Sequence, residues 1–374
     1  MQKQECELLK KLKEIMSIFL SPNFWRIVFV LFGIILLVIS PIYLFRENNF
    51  KLNLNQFLNL ENNTKVVLDL CHVETFEGGS ASREGYLRRQ AQKFNKQNSN
   101  FFISITTMSL DEFELNIAHG YEADIYSFGI GAGDKLKSKL QSLKKINNIR
   151  DDLQKNAMID GKIYAYPYIL SGYAVISYEG LTTNDQNLTA RLQSSASGKK
   201  IVNGTVLGMK NTTPAQALVE NGVTLSMQDL TIENSSYLAY TIFLNKNTKS
   251  LVGTARDVAR IKNREQMGSI SPCVYSYLSG YSDLIQYLGI SKLLSGVKSE
   301  VATAFAKLLL KEEAQKELST IGLFSVTNNK IYNEDFMSEF ENCLQKPLKS
   351  VDAFASKKEI EIEQAKALER LYKN

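Results

Sequence analysis

The sequence is poor in the residue types on which metal and nucleophilic chemistry depend. Its 374 residues include four cysteines, one tryptophan (Trp25) and two histidines, His72 and His119. The cysteines have no C-x-x-C spacing, and two histidines are too few for an ordinary zinc site. His72 lies within a strand-like run and His119 ends a surface helix, so no Ser-His-Asp or Cys-His set is indicated. The sequence therefore predicts no metal site, no cofactor and no nucleophilic active site.

Nucleotide-binding motifs and a concentrated basic surface are also missing. The stretch Gly129–Gly133 (GIGAG) lacks the G-x-G-x-x-G spacing, and no Walker lysine motif occurs. The formal net charge is only +5, with acids and lysines interspersed along the chain, which argues against a nucleic-acid partner. What is present is an ordinary folded composition, 44% hydrophobic and 22% charged. A chain of this length predicts two lobes or domains.

One apolar run stands out near the N-terminus. Ile27–Phe45 is 19 residues without a charge, long enough as a helix to cross a hydrocarbon core of about 30 Å. More basic residues precede the run than closely follow it, so the N-terminus should stay in the cytoplasm. A cleavable signal peptide is the alternative, but no small-residue cleavage site follows. We expect an uncleaved signal anchor between a cytoplasmic amphipathic segment (1–26) and a tether (46–64), which gives a single-pass cell-membrane protein whose bulk is extracytoplasmic.

From Lys65 onward, strand-like runs alternate with helical ones. This alternation predicts right-handed βαβ units around a parallel sheet, with a ligand in the crevice outside the carboxyl ends of the strands. Asp160–Gly180 is typical of a turn followed by two strands separated at Ser171 and Gly172, a suitable place for the chain to pass between lobes. Leu181–Thr231 shows little pattern beyond a helix at Pro214–Glu220. The other predicted helices are Arg83–Asn95, Leu110–Ala118, Val301–Leu318 and Glu359–Leu371.

The first predicted strand–helix loop carries Glu74, Glu77 and two glycines, Gly78 and Gly79. Carboxylates there would accept hydrogen bonds from a polyhydroxylated ligand, and the glycines would let the backbone approach it. The alternative is helix capping, in which the acids favour the helix dipole and the glycines make a tight turn. Paired carboxylates are also typical of a glycoside hydrolase, although the sequence does not give the distance between these two.

Two further groups of side chains suit a carbohydrate cleft. Tyr164, Tyr166, Tyr168 and Tyr173 recur around Pro167, and tyrosine rings stack on the faces of sugars. Their alternative role is that of half-buried strand residues. Arg256 and Asp257 are adjacent in the sequence. They would form either a local ion pair or a hydrogen-bonding fork for ligand oxygens.

Several of these segments occur in an order that resembles bacterial extracellular solute-binding proteins of the sugar-binding type, the substrate-binding components of ABC importers. The similar stretch spans roughly Val66–Val326, with a gap in the middle. The resemblance implies an α/β fold of two periplasmic-binding-protein-like lobes joined by hinge strands, preceded here by the N-terminal transmembrane helix. It also implies a sugar clamped between the lobes, delivery to ABC permease subunits in the membrane, and no catalysis. The segments are HVETFEGGSASREGYLRRQAQKFNKQN, ADIYSFGIG, DGKIYAYPYILSGYAVISY, LVGTARDVARI, YSDLIQYLGI and AFAKLLLKEEAQKELSTIGLFSV.

The resemblance also implies boundaries and ligand contacts. Lobe 1 would comprise 65–167 and 291–326, and lobe 2 would comprise 168–290 and 327–374. The hinges would be Tyr166–Ser171 and Tyr281–Ile290. The implied ligand-binding residues are Glu74, Phe76, Glu77, Gly78, Phe128, Tyr168, Ser171, Tyr173, Arg256 and Asp257.

The sequence departs from this family in three respects. Its single tryptophan precedes the predicted membrane span, its second lobe is short between Gly180 and Tyr237, and a transmembrane anchor replaces the usual lipid anchor or free secretion. We therefore expect a membrane-anchored extracytoplasmic protein that captures a carbohydrate or similar polar solute for an ABC importer. The alternative is a degenerate relative that acts as a sensor or interaction scaffold. A glycoside hydrolase using Glu74 or Glu77 is the third hypothesis.

Overall fold

The computed structural model describes residues 65–76, 82–181, 187–197, 200–333 and 335–372, all within the compact unit Leu58–Asn374. The predicted cytoplasmic segment, the apolar run Ile27–Phe45 and the tether lie outside the described residues. Of the helices that are described, none combines the length and apolarity needed to cross a membrane.

The described part of the chain alternates between strands and helices. The strands are β1 (Val66–Glu74), β2 (Phe101–Ser109), β3 (Ile125–Phe128), β4 (Met158–Ile159), β5 (Lys162–Ile163), β6 (Ala165–Leu170), β7 (Tyr173–Tyr178), β8 (Ser195–Ser197), β9 (Lys200–Gly208), β10 (Leu230–Glu233), β11 (Thr248–Thr254), β12 (Cys273–Tyr277) and β13 (Ile285–Ile290). The helices are α1 (Ser82–Gln97), α2 (Leu110–Ala118), α3 (Gly133–Leu136), α4 (Asp151–Gln154), α5 (Leu188–Leu192), α6 (Pro214–Glu220), α7 (Ser236–Leu244), α8 (Ala255–Gln266), α9 (Gly296–Leu309), α10 (Glu312–Lys316), α11 (Asp335–Leu344) and α12 (Lys357–Leu371).

Lobe 1 is built on a five-stranded sheet with the order β2-β1-β3-β13-β6. β1 pairs in parallel with β2 and β3, and β13 runs antiparallel to β3 and β6. The strands β1, β3 and β6 therefore end, and β13 begins, at one edge of the sheet. Every residue of β3 and β6 is buried, which accounts for their continuous apolar character in the sequence.

Lobe 2 contains a second sheet with the order β10-β9-β11-β7-β12, and β8 pairs with β9 beside it. β9, β10 and β11 are parallel, whereas β7 is antiparallel to both β11 and β12. The loops that follow β9, β10 and β11 therefore lie at one edge. That edge also carries the start of β7, which continues directly from the end of β6.

The chain crosses between the two sheets at Ser171–Gly172 and again between β12 and β13. A Cβ on Gly172 would lie 2.7 Å from Phe340 and from Leu344, so only glycine fits this crossing. The first crossing lies where the sequence suggested. In the second, β13 belongs to the lobe 1 sheet, so the chain changes sheets between Tyr277 and Ile285, before the predicted boundary at 290/291.

Most predicted elements are confirmed, and two are not as expected. Leu110–Ala118 is helical at the predicted residues because Ser109 and Glu112 form a capping box at its start. The predicted helix Val301–Leu318 is interrupted, since α9 ends at Leu309 and α10 begins at Glu312. The poorly patterned stretch after Leu181 contains β9, a central strand of lobe 2 that sequence periodicity did not reveal.

Candidate functional site

The predicted ligand-binding residues gather where the strand ends of the two sheets meet. Glu74 ends β1 and is half-buried, and it lies beside Ser109 in the sheet register. Phe76 follows it and is 3% exposed. Glu77 and Gly78 lie outside the described residues. The remaining predicted residues, from Phe128 to Asp257, are described, and each is placed below.

Tyr173 belongs to a buried polar group, here called the hinge cluster, made of Tyr173, Thr213, Tyr281 and Asp283. The Tyr173 hydroxyl donates to Asp283 Oδ1 at 2.6 Å. Asp283 Oδ2 accepts hydrogen bonds from the Thr213 backbone N–H at 2.7 Å and from its hydroxyl at 2.6 Å. Tyr281 also hydrogen-bonds Thr213 Oγ1. Burial raises the pKa of the Asp283 carboxyl, while these three donors stabilise its charged form.

Tyr168 lies in a second buried polar group, here called the His72 network, made of His72, Arg83, Ser127, Tyr168 and Gln286. The Ser127 hydroxyl is at the centre, 2.7 Å from Tyr168 Oη, 2.8 Å from His72 Nδ1 and 3.0 Å from Gln286 Nε2. Burial, together with the charge of Arg83, lowers the pKa of His72 to about 3, so its imidazole is neutral at physiological pH.

Arg83 connects the His72 network to the first loop. Its Nη1 donates to Gln286 Oε1 at 3.0 Å, and its Nη2 donates to the Phe76 carbonyl. The guanidinium also lies 4.3 Å from the centre of the Phe76 ring. Phe76 in turn packs in an apolar cluster of lobe 2 that includes Tyr173 and Met209. Phe76, which was predicted to bind the ligand, therefore packs between the two lobes in this structure.

Phe128 and Ser171 are also fully buried. The Phe128 ring packs against Tyr287 and Phe354, with ring centres 5.9 and 6.0 Å apart. The Ser171 backbone N–H donates to Leu284 at 2.8 Å, and its carbonyl accepts from the Ser282 hydroxyl at 2.6 Å. Both residues thus hold the hinge side of lobe 1 together.

Asp257 has a structural role at the start of α8. Its carboxylate accepts from the Thr254 backbone N–H at 3.0 Å and forms the capping box that starts α8. Arg260 Nη1 lies 3.6 Å from Asp257 Oδ1. Arg256, its neighbour in sequence, is half-buried on the first turn of the same helix. Because the capping box uses the Asp257 carboxylate, this side chain stabilises the start of α8.

A cavity of about 910 Å³, with walls from both lobes, lies beside these residues, and we call it the central groove. Lobe 1 lines it with Lys137 and the β4–β5 hairpin, and lobe 2 lines it with one face of α6. The segment 349–355 and one face of α12 complete the lining, and Tyr281 joins it to the hinge cluster. None of the eight predicted ligand residues that the structure describes lines the central groove.

Charged side chains line much of the central groove, and four of them form two ion pairs near water. Lys349 and Glu220 are 2.9 Å apart, and Lys366 and Glu363 are 2.8 Å apart. Arg370 Nη2 donates to Gln216 Oε1 at 2.6 Å. A polar solute could replace these interactions, because its hydroxyls or charges would bind the same side chains. Sequence reasoning missed them because charges on helices at four-residue spacing also describe an ordinary solvated face.

A second cavity of about 520 Å³ lies on the other side of α12, and we call it the strand-end groove. It is lined by Met209, Lys210 and Asn211 after β9, by Asn234 after β10, by Asp111 at the start of α2, and by α12. Lys210 of lobe 2 lies 3.8 Å from Asp111 of lobe 1. The carboxyl ends of strands from both lobes therefore face each other across this groove.

The described residues hold no group of His, Cys, Asp and Glu side chains that could bind a metal ion.

The fold is similar to solved two-lobed binding proteins. The GacH receptor of Streptomyces glaucescens GLA.O, solved unliganded and with acarbose, shares 10% identity and a TM-score of 0.59, covering 82% of this chain and 94% of its own. The sugar-binding protein MalE from Xanthomonas citri shares 10% identity and a TM-score of 0.58, over 82% and 91% of the two chains. Thiaminase I from Bacillus thiaminolyticus shares 10% identity and a TM-score of 0.56, covering 82% of this chain and 100% of its own. No protein-family model matches the chain, and no curated protein sequence matches it.

At these identities the likeness concerns the fold alone. The resemblance inferred from the sequence is confirmed at that level, since several of the similar structures are proteins with bound sugars or named as sugar-binding, and one is named an ABC substrate-binding protein. Thiaminase I has the same architecture, so the fold is compatible with both binding proteins and an enzyme.

Proposed function

We propose that this protein is a solute-binding protein that captures a carbohydrate or similar polar solute between its two lobes. The observation that carries the proposal is the central groove, whose volume of about 910 Å³ falls within the usual range of small-molecule sites. Its walls come from different lobes and meet at Tyr281 beside the hinge. A solute that contacts both walls would bind the closed arrangement more tightly and shift the lobes toward it.

The polar lining fits a polar ligand. Lys366, Arg370 and Gln216 offer hydrogen-bond donors, and Glu220, Glu363 and Asp352 offer acceptors. Burial raises the pKa of Asp352, whose Oδ1 accepts the Phe354 backbone N–H at 2.7 Å. Polyhydroxylated solutes both donate and accept, so a lining that mixes both kinds of group suits a sugar.

The wider biological role is part of the same proposal. The uncharged run Ile27–Phe45 supports a membrane anchor, and the family resemblance supports delivery of the solute to an ABC importer and the absence of catalysis. The hydrolase hypothesis depends on Glu74 or Glu77, and Glu77 lies outside the described residues. We therefore propose a binding role and assign no residue to catalysis.

One observation favours the second candidate, an interaction or sensory protein without a solute. The residues at which the resemblance places sugar contacts are largely engaged with other protein groups: Tyr173 with Asp283, Tyr168 with Ser127, and Asp257 with its helix start. A relative that had lost its sugar site would show the same pattern.

The test is a thermal-shift screen of the full chain in detergent against mono- and oligosaccharides. A solute present at a hundred times its dissociation constant should add about 2.7 kcal/mol of stability. Lys366→Ala should weaken binding of the active solute by about tenfold, as expected when one hydrogen bond to a charged group is lost. Lys358→Ala is the matched control, because Lys358 is exposed on the same helix and does not line the groove.

Two results would contradict the proposal. If no solute shifts the melting temperature of a sample shown by circular dichroism to be folded, the interaction protein becomes the better hypothesis. If a solute binds equally to wild type, Lys366→Ala and Lys358→Ala, the solute site lies outside the central groove.

A further inference from the structure

We propose that the C-terminal helix α12 is a latch that holds the two lobes together beside the central groove, with Ile360 as its release point. The proposal rests on the proposed function only in that the groove is the site being regulated. The helix has 15 residues and, at 1.5 Å per residue, is about 22 Å long, enough to reach from one lobe to the other. It separates the central groove from the strand-end groove and lines both.

The C-terminal half of the helix is attached to lobe 2. Ala367 and Leu371 are fully buried in the apolar cluster that contains Leu218 and Leu225. The Leu225 backbone N–H donates to the Leu371 carbonyl at 2.9 Å. Between these groups and the start of the helix, Gln364 Nε2 donates to the carbonyls of Met209 at 2.5 Å and Thr212 at 2.6 Å, in the loop after β9. This attachment combines several buried side chains with three hydrogen bonds.

The N-terminal half rests on lobe 1 through a much smaller contact. Ile360 is 3% exposed and packs with Ile130, Ala355 and the partly buried Val351. Ile130 follows β3 of lobe 1. The segment that carries Ala355 is fixed to lobe 1 by the Phe354–Phe128 ring contact and by the hydrogen bond from the Ala353 N–H to the Asn156 carbonyl, 2.8 Å long.

A rigid helix attached to both lobes restrains the hinge. When the lobes separate, α12 must leave one of them, and it will leave the one that holds it less strongly. Ile360 is a single apolar side chain, whereas the lobe 2 attachment includes buried residues, one backbone hydrogen bond and two hydrogen bonds from the Gln364 side chain. We therefore infer that α12 moves with lobe 2 and that withdrawal of Ile360 from its lobe 1 contact accompanies opening.

The same helix supplies the control. Ile360 is buried against lobe 1, whereas Lys358, two residues earlier, is exposed and lines neither groove. Truncating a buried isoleucine removes a contact, while truncating an exposed side chain removes little. Ile360→Ala should raise the open-to-closed ratio by about tenfold or more. Lys358→Ala should leave this ratio unchanged.

The experiment measures the separation of the lobes directly, in the full chain in detergent and without solute. Spin labels carried on unnatural amino acids replace Leu115 of lobe 1 and Met267 of lobe 2, which are 60% and 80% exposed. Pulsed electron paramagnetic resonance should then show a longer-distance population in Ile360→Ala, and Ile130→Ala should show the same from the other side of the contact. Circular dichroism and a cooperative melting transition establish that each variant is folded.

The outcomes separate the latch from the proposed function. If both Ile360→Ala and Ile130→Ala keep the wild-type distance distribution, α12 is not a latch, whether or not a solute binds. If the distances lengthen but no solute binds to wild type, the latch stands and the solute-binding proposal fails. Where a solute does bind wild type, Ile360→Ala should weaken its apparent affinity by the fraction of closed molecules lost.

Discussion

The hinge cluster and the central groove are neighbours that share Thr213 and Tyr281, yet most of their polar groups differ in burial and in how firmly they are paired. In the hinge cluster, Tyr173 and Asp283 are buried, and the carboxylate accepts three hydrogen bonds from protein groups. In the central groove, Lys349 and Lys366 have side chains that are 71% and 59% exposed, and their ion pairs are in contact with water. Both regions are rich in hydrogen-bonding residues, so residue type alone does not distinguish them.

The difference lies in what each group has to give up in order to bind a ligand. A buried group whose hydrogen bonds are already made with protein would have to break them, and would leave its former partner unpaired at a cost of about 1–3 kcal/mol for each lost bond. An exposed charged group exchanges water or a weakly held ion pair, which is worth about 0–1 kcal/mol. Solute capture is therefore expected from the groove, while the hinge cluster stabilises the crossing between the lobes.

Replacing Asp283 gives the largest expected effect. Asp283→Ala leaves the Tyr173 hydroxyl and both Thr213 donors unpaired in a buried site, so we expect the free energy of unfolding to fall by about 3 kcal/mol or more. Glu363→Ala, in the central groove, should change it by no more than about 0.5 kcal/mol. Urea unfolding of both variants measures the contrast. Equal losses would show that the two regions do not differ as described.

Sequence reasoning located the strand ends correctly and left open whether the side chains there bind a ligand or stabilise the fold. Tyr168 and Tyr173 lie in two strand-like runs separated at Ser171 and Gly172, from which a crossing between the lobes was predicted. The crossing is confirmed, because β6 and β7 belong to different sheets. The partners of these tyrosines, Ser127 and Asp283, are 41 and 110 residues away in the chain. A local pattern contains no information about contacts at such separations, so binding and structural roles looked alike.

His72 offers an intermediate effect that depends on pH. Its pKa of about 3 lies below the value of about 6.5 expected in the unfolded chain, so between these values the unfolded chain binds a proton that the folded one does not. Stability is therefore lost as the pH falls through this window and regained as it rises. His72→Gln removes this titration. Between pH 7 and pH 5, the free energy of unfolding of the wild type should therefore fall by about 2 kcal/mol more than that of the variant.

The comparison with His72→Gln is needed because Asp283 acts in the opposite sense. The raised pKa of that buried carboxyl favours the folded state as the pH falls, so the wild-type profile alone mixes both contributions. His119→Gln is the control, since His119 is exposed. Chemical denaturation at several pH values gives the three profiles. Parallel profiles for wild type and His72→Gln would contradict a neutral, buried imidazole.

The central groove was not predictable for a related reason. Its lining comes from Lys137, the β4–β5 hairpin, α6 and the segment leading into α12, which are far apart in sequence and meet only through the tertiary fold. The closing helix itself was predicted at Glu359–Leu371, and the structure starts it at Lys357, where Ser356 and Glu359 form a capping box. The position of this helix across both lobes was not predicted. Ile360 and Leu371 pack in different apolar clusters, and the spacing of apolar residues along one helix does not show which cluster each of them joins.

The smallest expected effect tests the groove side of the comparison. Lys349 and Glu220 form an ion pair 2.9 Å long, with side chains 71% and 20% exposed. A double-mutant cycle with Lys349→Ala and Glu220→Ala should give a coupling energy below about 1 kcal/mol, falling further in high salt because exposed charges are screened. Urea unfolding of the four proteins at low and high salt measures it. A coupling energy above about 2 kcal/mol that does not change with salt concentration would mean that this pair is as tightly held as the hinge cluster. In that case a solute could not displace it easily, and the groove would lose the property that makes it the better binding site.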